Sequence, residues 1–140
     1  MERRLTLLHV EDDPNDRLIM SILFRKAAPE LELKTAADGV EAVEALSTPP
    51  RPSLVLLDLK LPKKNGFEVL EWARRRPELE GLPILVLTSS SERGDIDRAY
   101  ELGASSYVVK SVDMAAMRDV VRGVATLARL SEARTPKLGA

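Results

Sequence analysis

"LTLLHVEDDPNDR", residues 5–17, runs from an apolar stretch through three consecutive carboxylates into a helix-opening signal. The run ending at Val10 has strand length. Asp13 followed by Pro14 reads as an N-cap with proline at the first helical position. A strand and a helix therefore meet at a short turn, the repeating junction of α/β folds. That turn carries Glu11, Asp12 and Asp13, whose like charges repel, and more so where they are partly buried.

Outward from this stretch the same unit recurs. Strand-length runs fall at 5–10, 31–36, 53–59, 83–89 and 106–110. Three of them are almost continuously aliphatic, as expected of parallel strands covered on both faces. Helix-period segments separate them. In the first, Leu18, Ile19, Ile22 and Leu23 recur at helical spacing to about Ala28. Asp38 caps "GVEAVEAL", Asn65-Gly66 opens "FEVLEWARRR", Gly103 stops "SERGDIDRAYEL", and Asp113 caps "MAAMRDVVRGVATLARL". Five βα units with right-handed crossovers predict a doubly wound five-stranded parallel sheet, flavodoxin-like order 2-1-3-4-5, with helices on both faces. The reading places one domain over residues 1–130 and a loose tail over 131–140.

Composition narrows the function classes. The 140 residues are 44% hydrophobic and 31% charged, the balance of a soluble globular domain. A formal net charge of −1 supplies no global field for nucleic acid or an anionic membrane. With no cysteine and His9 as the lone histidine, thiolate chemistry and multi-histidine metal centres are excluded. The opening apolar run is too short for a signal peptide, and none approaches the ~20 residues that span a bilayer. The expectation is a cytoplasmic protein.

In such a fold ligands bind beyond the carboxyl ends of the strands, at the topological switch point. The polar residues at those ends are Glu11 and Asp12, then Asp58, then Thr88 and Ser89, then Lys110. Taken singly, a strand-end acid is more often a cap, a lysine a solvated side chain, and a strand threonine a residue satisfied by backbone. Together they make a chemical set. Mg²⁺ prefers oxygen ligands and is commonly held by one or two carboxylates, and its charge offsets the repulsion among the acids. Asp58 can act as a nucleophile toward phosphorus. Lys110 and the metal neutralise charge building on a transferred phosphoryl group, and the Thr88 hydroxyl can donate to it.

With these residues placed, the chain resembles the receiver domains of two-component response regulators. "HVEDD", "LVLLDLKLPKKNGFEVL", "VLTSS" and "ELGASSYVVKS" occur in the family's order and spacing, and the likeness covers roughly residues 4–128. The resemblance implies Asp58 as phosphoacceptor, Glu11, Asp12 and Asp58 around Mg²⁺, and Lys60 giving the metal its backbone carbonyl. It implies Thr88 and Tyr107 as a switch pair and Lys110 as the phosphate-contacting lysine. The donor is then a phosphohistidine on a sensor histidine kinase, and the domain catalyses only its own phosphorylation and dephosphorylation. "EDDPNDRLI", "LPKKNGFEVL" and "GLPILVLTSS" look most like stand-alone regulators of bacterial phytochrome kinases. DNA binding is not expected, since these residues are taken up by the receiver-like fold.

Two departures stand out. The family carries proline with a cis bond after this lysine, whereas this chain has Ser111. A non-proline cis bond costs about 2.5–4 kcal/mol against about 0.5–1 for X-Pro, which leaves either a shifted trans loop or a strained cis bond. Lys60 is the other, its side chain expected near the phosphoryl site, where it alters the lifetime of the phosphorylated form. Signal output is expected over helix 4, strand 5 and helix 5, roughly residues 92–130. The apolar extension of helix 5 to Leu130 marks a homodimer or partner contact there. Competing readings are a phosphorylation-independent pseudo-receiver, a Mg²⁺-dependent phosphohydrolase and a flavin-binding domain. The latter two lack, respectively, a lid insertion and a Ser/Thr/Gly-rich loop after strand 1.

Overall fold

Side chains of a strand alternate between faces, so the continuous aliphatic run "LVLL" must be covered on both sides. In the computed structural model, which describes residues 5–134, it forms β3 (Leu54–Leu57), buried at every position. Leu54 and Leu56 face one core with Leu7, Leu85 and Leu87, while Val55 and Leu57 face another with Leu8, Val10 and Ile84. β1 (Thr6–Val10), β2 (Glu32–Ala36), β4 (Ile84–Thr88) and β5 (Ser106–Val109) join it in parallel, in the order β2-β1-β3-β4-β5. The expected doubly wound sheet is the one found.

α1 (Pro14–Ala27) and α5 (Met114–Arg134) cover the first face through Met20, Leu23, Phe24, Met117, Val121 and Val124. α2 (Gly39–Ser47), α3 (Gly66–Arg74) and α4 (Arg93–Glu101) cover the second, with Leu46, Val69 and Leu70 central and Ala99 packed on Phe67 and Val86. The helix starts follow the capping chemistry. Asp13 accepts from the Asn15 N–H at 2.8 Å, Asp38 from Glu41 at 2.8 Å, and Asp113 from Ala115 at 2.9 Å. Asn65 and Glu68 form a reciprocal capping box at 2.9 and 3.0 Å. Gly103 adopts φ 105°, ending α4 as a residue without Cβ can.

The structure departs from expectation at three places. α5 continues to Arg134, four residues into the expected tail; Ala128 stays fully buried near its end, so the helix still has a face to cover. Residues 135–140 lie outside the described residues. A 3₁₀ turn, Pro77–Leu79, follows α3 and drives Leu79 into the core. Arg74, in the basic run that ends α3 and where a solvated side chain is ordinarily expected, is partly buried instead and donates to the Gly103 carbonyl at 2.9 Å. Trp72 covers the core edge, with the Arg76 guanidinium 4.7 Å from its ring centre.

Candidate functional site

Parallel pairing fixes which strand ends are neighbours. Val10 lies opposite Leu57 and Thr88 opposite Val109, so the residues just after β1 and β3 emerge side by side, and those after β5 emerge on the same edge one strand beyond, across β4. Asp58 is one residue past β3, yet its N–H still reaches the Val10 carbonyl at 3.1 Å. Lys110, one past β5, likewise donates its N–H to the Thr88 carbonyl at 2.8 Å. These bonds extend the sheet by a residue at the point where the polar side chains begin.

Glu11, Asp12 and Asp58 each place a carboxylate oxygen within 4.8 Å of the others. Glu11 and Asp58 are only 2% and 6% exposed, while Asp12 faces solvent. The Lys110 ammonium donates to Glu11 at 2.6 Å, Asp58 at 2.8 Å and Asp16 at 3.0 Å. Glu11 also accepts from the Asp13 N–H at 3.1 Å, and its carbonyl takes the Arg17 guanidinium at 2.7 Å. Burial pushes the Glu11 carboxyl up to about 7, against the opposing pull of the bonds from Lys110 and Asp13. Burial pulls the Lys110 ammonium down, but its bonds to Asp58 and Glu11 outweigh this and hold it above the ordinary lysine value. His9, buried in β1, is lowered to about 4 by burial and by the Lys110 charge.

A hard divalent cation fits this donor set. Its ligand atoms are all carboxylate oxygen, close enough to share one ion, with one acid open to solvent for entry. Four acids face one lysine around the Lys110 ammonium and the acidic trio, which leaves room for further positive charge.

Each expected residue can be located. Lys60 is exposed, and its N–H donates to Asp58 at 3.2 Å. Thr88 is completely buried with no hydrogen-bond partner for its hydroxyl; the backbone does not satisfy it. Tyr107 is half-buried and donates its hydroxyl to the Ser90 carbonyl at 2.9 Å. The Lys110–Ser111 bond is trans, and the lysine still reaches both buried carboxylates. Ser111 instead shapes the turn into α5, accepting from the Asp113 N–H at 3.0 Å.

Two residues escaped the sequence reading. Asp16 touches Lys110 from the first turn of α1; its signal was a fourth acid one helical turn after "EDD". Ser90 ties Tyr107 to α4, since its hydroxyl donates to Asp95 at 2.6 Å and accepts from the Glu92 N–H at 3.3 Å. Only the loop geometry reveals that link.

Comparison with known proteins identifies the family. The family model described as "Response regulator receiver domain" matches residues 7–122. Response regulator Rcp1 of Synechocystis sp. is 35% identical over 124 residues, covering 84% of each chain. The crystal structure of its Mn²⁺-bound form superposes with TM-score 0.81 at 32% identity, over 97% of this chain and 99% of that one. The phosphorylated cyanobacterial phytochrome response regulator RcpA gives TM-score 0.83 at 30% identity, over 99% and 100%. Extended over most of the fold, this likeness makes the chain a member of the response regulator receiver domain family, the phosphorylation switches of two-component signalling.

Proposed function

We propose that Asp58 is the phosphoacceptor of this receiver and that the donor is the phosphohistidine of a sensor histidine kinase. The observation that carries the assignment is Lys110, whose ammonium holds Asp58 and Glu11 at 2.8 and 2.6 Å. An Asp58 oxygen attacks phosphorus, the phosphorus–nitrogen bond to the donor imidazole breaks, and an acyl phosphate remains. Lys110 keeps its proton throughout and meets the charge that accumulates on the phosphoryl oxygens. Glu11, Asp12, Asp58 and the Lys60 carbonyl would hold Mg²⁺, which when bound supplies further neutralisation of that charge. Thr88, whose hydroxyl is buried and unpartnered, donates to a phosphoryl oxygen. The domain acts on its own acyl phosphate and on no external substrate.

Thr88 and Tyr107 then form the switch. Phosphorylation adds about −1.5 to −2 charges, drawing Thr88 toward the acceptor oxygens and changing the space beside Tyr107. Because Tyr107 bonds Ser90, and Ser90 bonds Asp95 of α4, the change passes to α4, β5 and α5. Tyr100, Val109, Leu127 and Leu130 are exposed on those elements, suited to a homodimer or target contact. The relatives that carry phytochrome in their names favour a phytochrome-type kinase as partner. No described helix is long and apolar enough to cross a membrane, in keeping with a cytoplasmic role.

Intact mass after incubation with Mg²⁺ and acetyl phosphate tests the assignment. A gain of one phosphoryl group that requires Mg²⁺ and is lost in Asp58→Asn is expected. An unmodified wild-type chain that binds Mg²⁺ but does not bind beryllofluoride would favour the phosphorylation-independent reading.

A further inference from the structure

An ammonium group carries three N–H donors, and in Lys110 three different carboxylates take them: Glu11 at 2.6 Å, Asp58 at 2.8 Å and Asp16 at 3.0 Å. The three acids differ in what else they can do. Glu11 and Asp58 belong with Asp12 to the trio whose oxygens lie within 4.8 Å of one another, the set that fits a divalent cation. Asp16 does not belong to it. It stands in the first turn of α1 with its side chain 38% exposed, and Lys110 is its only ion-pair partner among the described residues.

Metal binding and phosphoryl transfer therefore bear on these acids unequally. The charge of Glu11 and Asp58 would be offset by a shared cation, and Asp58 itself becomes an acyl phosphate. Neither event involves Asp16. Its negative charge stays one hydrogen bond from the ammonium that has to meet the phosphoryl oxygens. Asp16 repels an anionic group arriving at Asp58, because both carboxylates lie against the same Nζ. It also keeps one of the three N–H donors and draws the ammonium toward α1.

We propose that Asp16 is a positioning residue that works against phosphorylation: its carboxylate competes with the phosphoryl group for Lys110 Nζ and so weakens phosphoryl binding at Asp58. The inference rests on Asp58 as the phosphoacceptor.

Beryllofluoride, a phosphoryl mimic, tests this by ¹⁹F NMR titration at saturating Mg²⁺ with wild type, Asp16→Asn, Asp16→Ala and Asp58→Asn. Both Asp16 variants should bind it about fivefold tighter than wild type, the reach of a part-screened charge pair. They should also take phosphate from acetyl phosphate faster. Mg²⁺ alone, titrated by calorimetry, should bind them no tighter than wild type, because an acid has been removed from its surroundings. Loosened packing would weaken both ligands, so tighter beryllofluoride without tighter Mg²⁺ separates this role from a structural one. Glu44→Gln, which removes an exposed acid of α2, controls for net charge and should leave both affinities unchanged. Unchanged or weaker beryllofluoride binding by the two Asp16 variants would overturn the proposal, and a weakening would make Asp16 a support that aims Lys110. An equal gain in Glu44→Gln would overturn it as well. Beryllofluoride binding that is absent from every variant, or that persists in Asp58→Asn, would instead fail the phosphoacceptor assignment, and the proposal with it.

Discussion

Among the described residues, Lys110 is the one cation paired with the side-chain carboxylates of Glu11, Asp16 and Asp58. Replacing it leaves two buried carboxylates without their partner, so metal-free Lys110→Ala is expected to lose about 3 kcal/mol in urea unfolding. Asp58→Asn keeps an acceptor for Lys110 and removes one repelling charge. That variant, free of metal, should match or exceed wild type. A loss of similar size in both would mean the cluster is held by packing and not by charge. Lys60→Asn should change the dephosphorylation rate, and an unchanged rate would remove the exposed Lys60 side chain from the site. At this scale the sequence was readable where a residue sits on a strand end, because parallel pairing then fixes its place. Asp16 and Ser90 were not readable, since their partners depend on the angle at which a helix or loop leaves the sheet.

Among the elements, α3 shows how closely a helix start can control the site. A Cβ on Gly66 would lie 2.3 Å from the Asp58 carbonyl oxygen and 2.7 Å from Leu59 Cα. Both are backbone atoms that cannot swing aside. Gly66→Ala should therefore cost about 1–3 kcal/mol by overpacking and lower the rate of Asp58 phosphorylation together with stability. Gly123, inside α5, meets nothing within 4 Å. Gly123→Ala should stabilise by about 1 kcal/mol through helix propensity alone. Thermal melts of the two variants, beside acetyl phosphate labelling, separate site geometry from general stability. The capping signals at Asp13, Asp38, Asn65 and Asp113 were legible because they are local. α4 lacks a side-chain cap of its own, and its start depends on Ser90 across the loop. Along α5 the apolar pattern divided into buried Met117, Val121 and Val124 and exposed Met114, Leu127 and Leu130, a division that the facing helix decides.

For the whole molecule, two buried groups oppose each other in acid. His9 has its pKa lowered from 6.5 to about 4, so its share of stability is complete above 6.5 and falls away as pH drops toward 4, about 3 kcal/mol in all. Glu11 is raised from 4.5 to about 7, so its share is complete below 4.5 and is lost as pH rises through 7. Between about pH 4.5 and 6.5 the two slopes largely cancel. Metal-free wild type should therefore differ little in urea midpoint between about pH 5 and pH 7, whereas His9→Leu should be more stable at the lower value. The sheet order was legible from the sequence because five strands separated by helices leave few topologies. Lys110 also bears on chemical labelling. Amine-reactive reagents attack only an unprotonated amine, and Lys110 is held protonated by its three acids. Exposed Lys34, Lys60 and Lys63 should be acylated first, with Lys110 the last of the described lysines to react. Acids that neutralise or withdraw from that ammonium would bring it forward, which makes its order of modification a reporter of the charge state of the whole site.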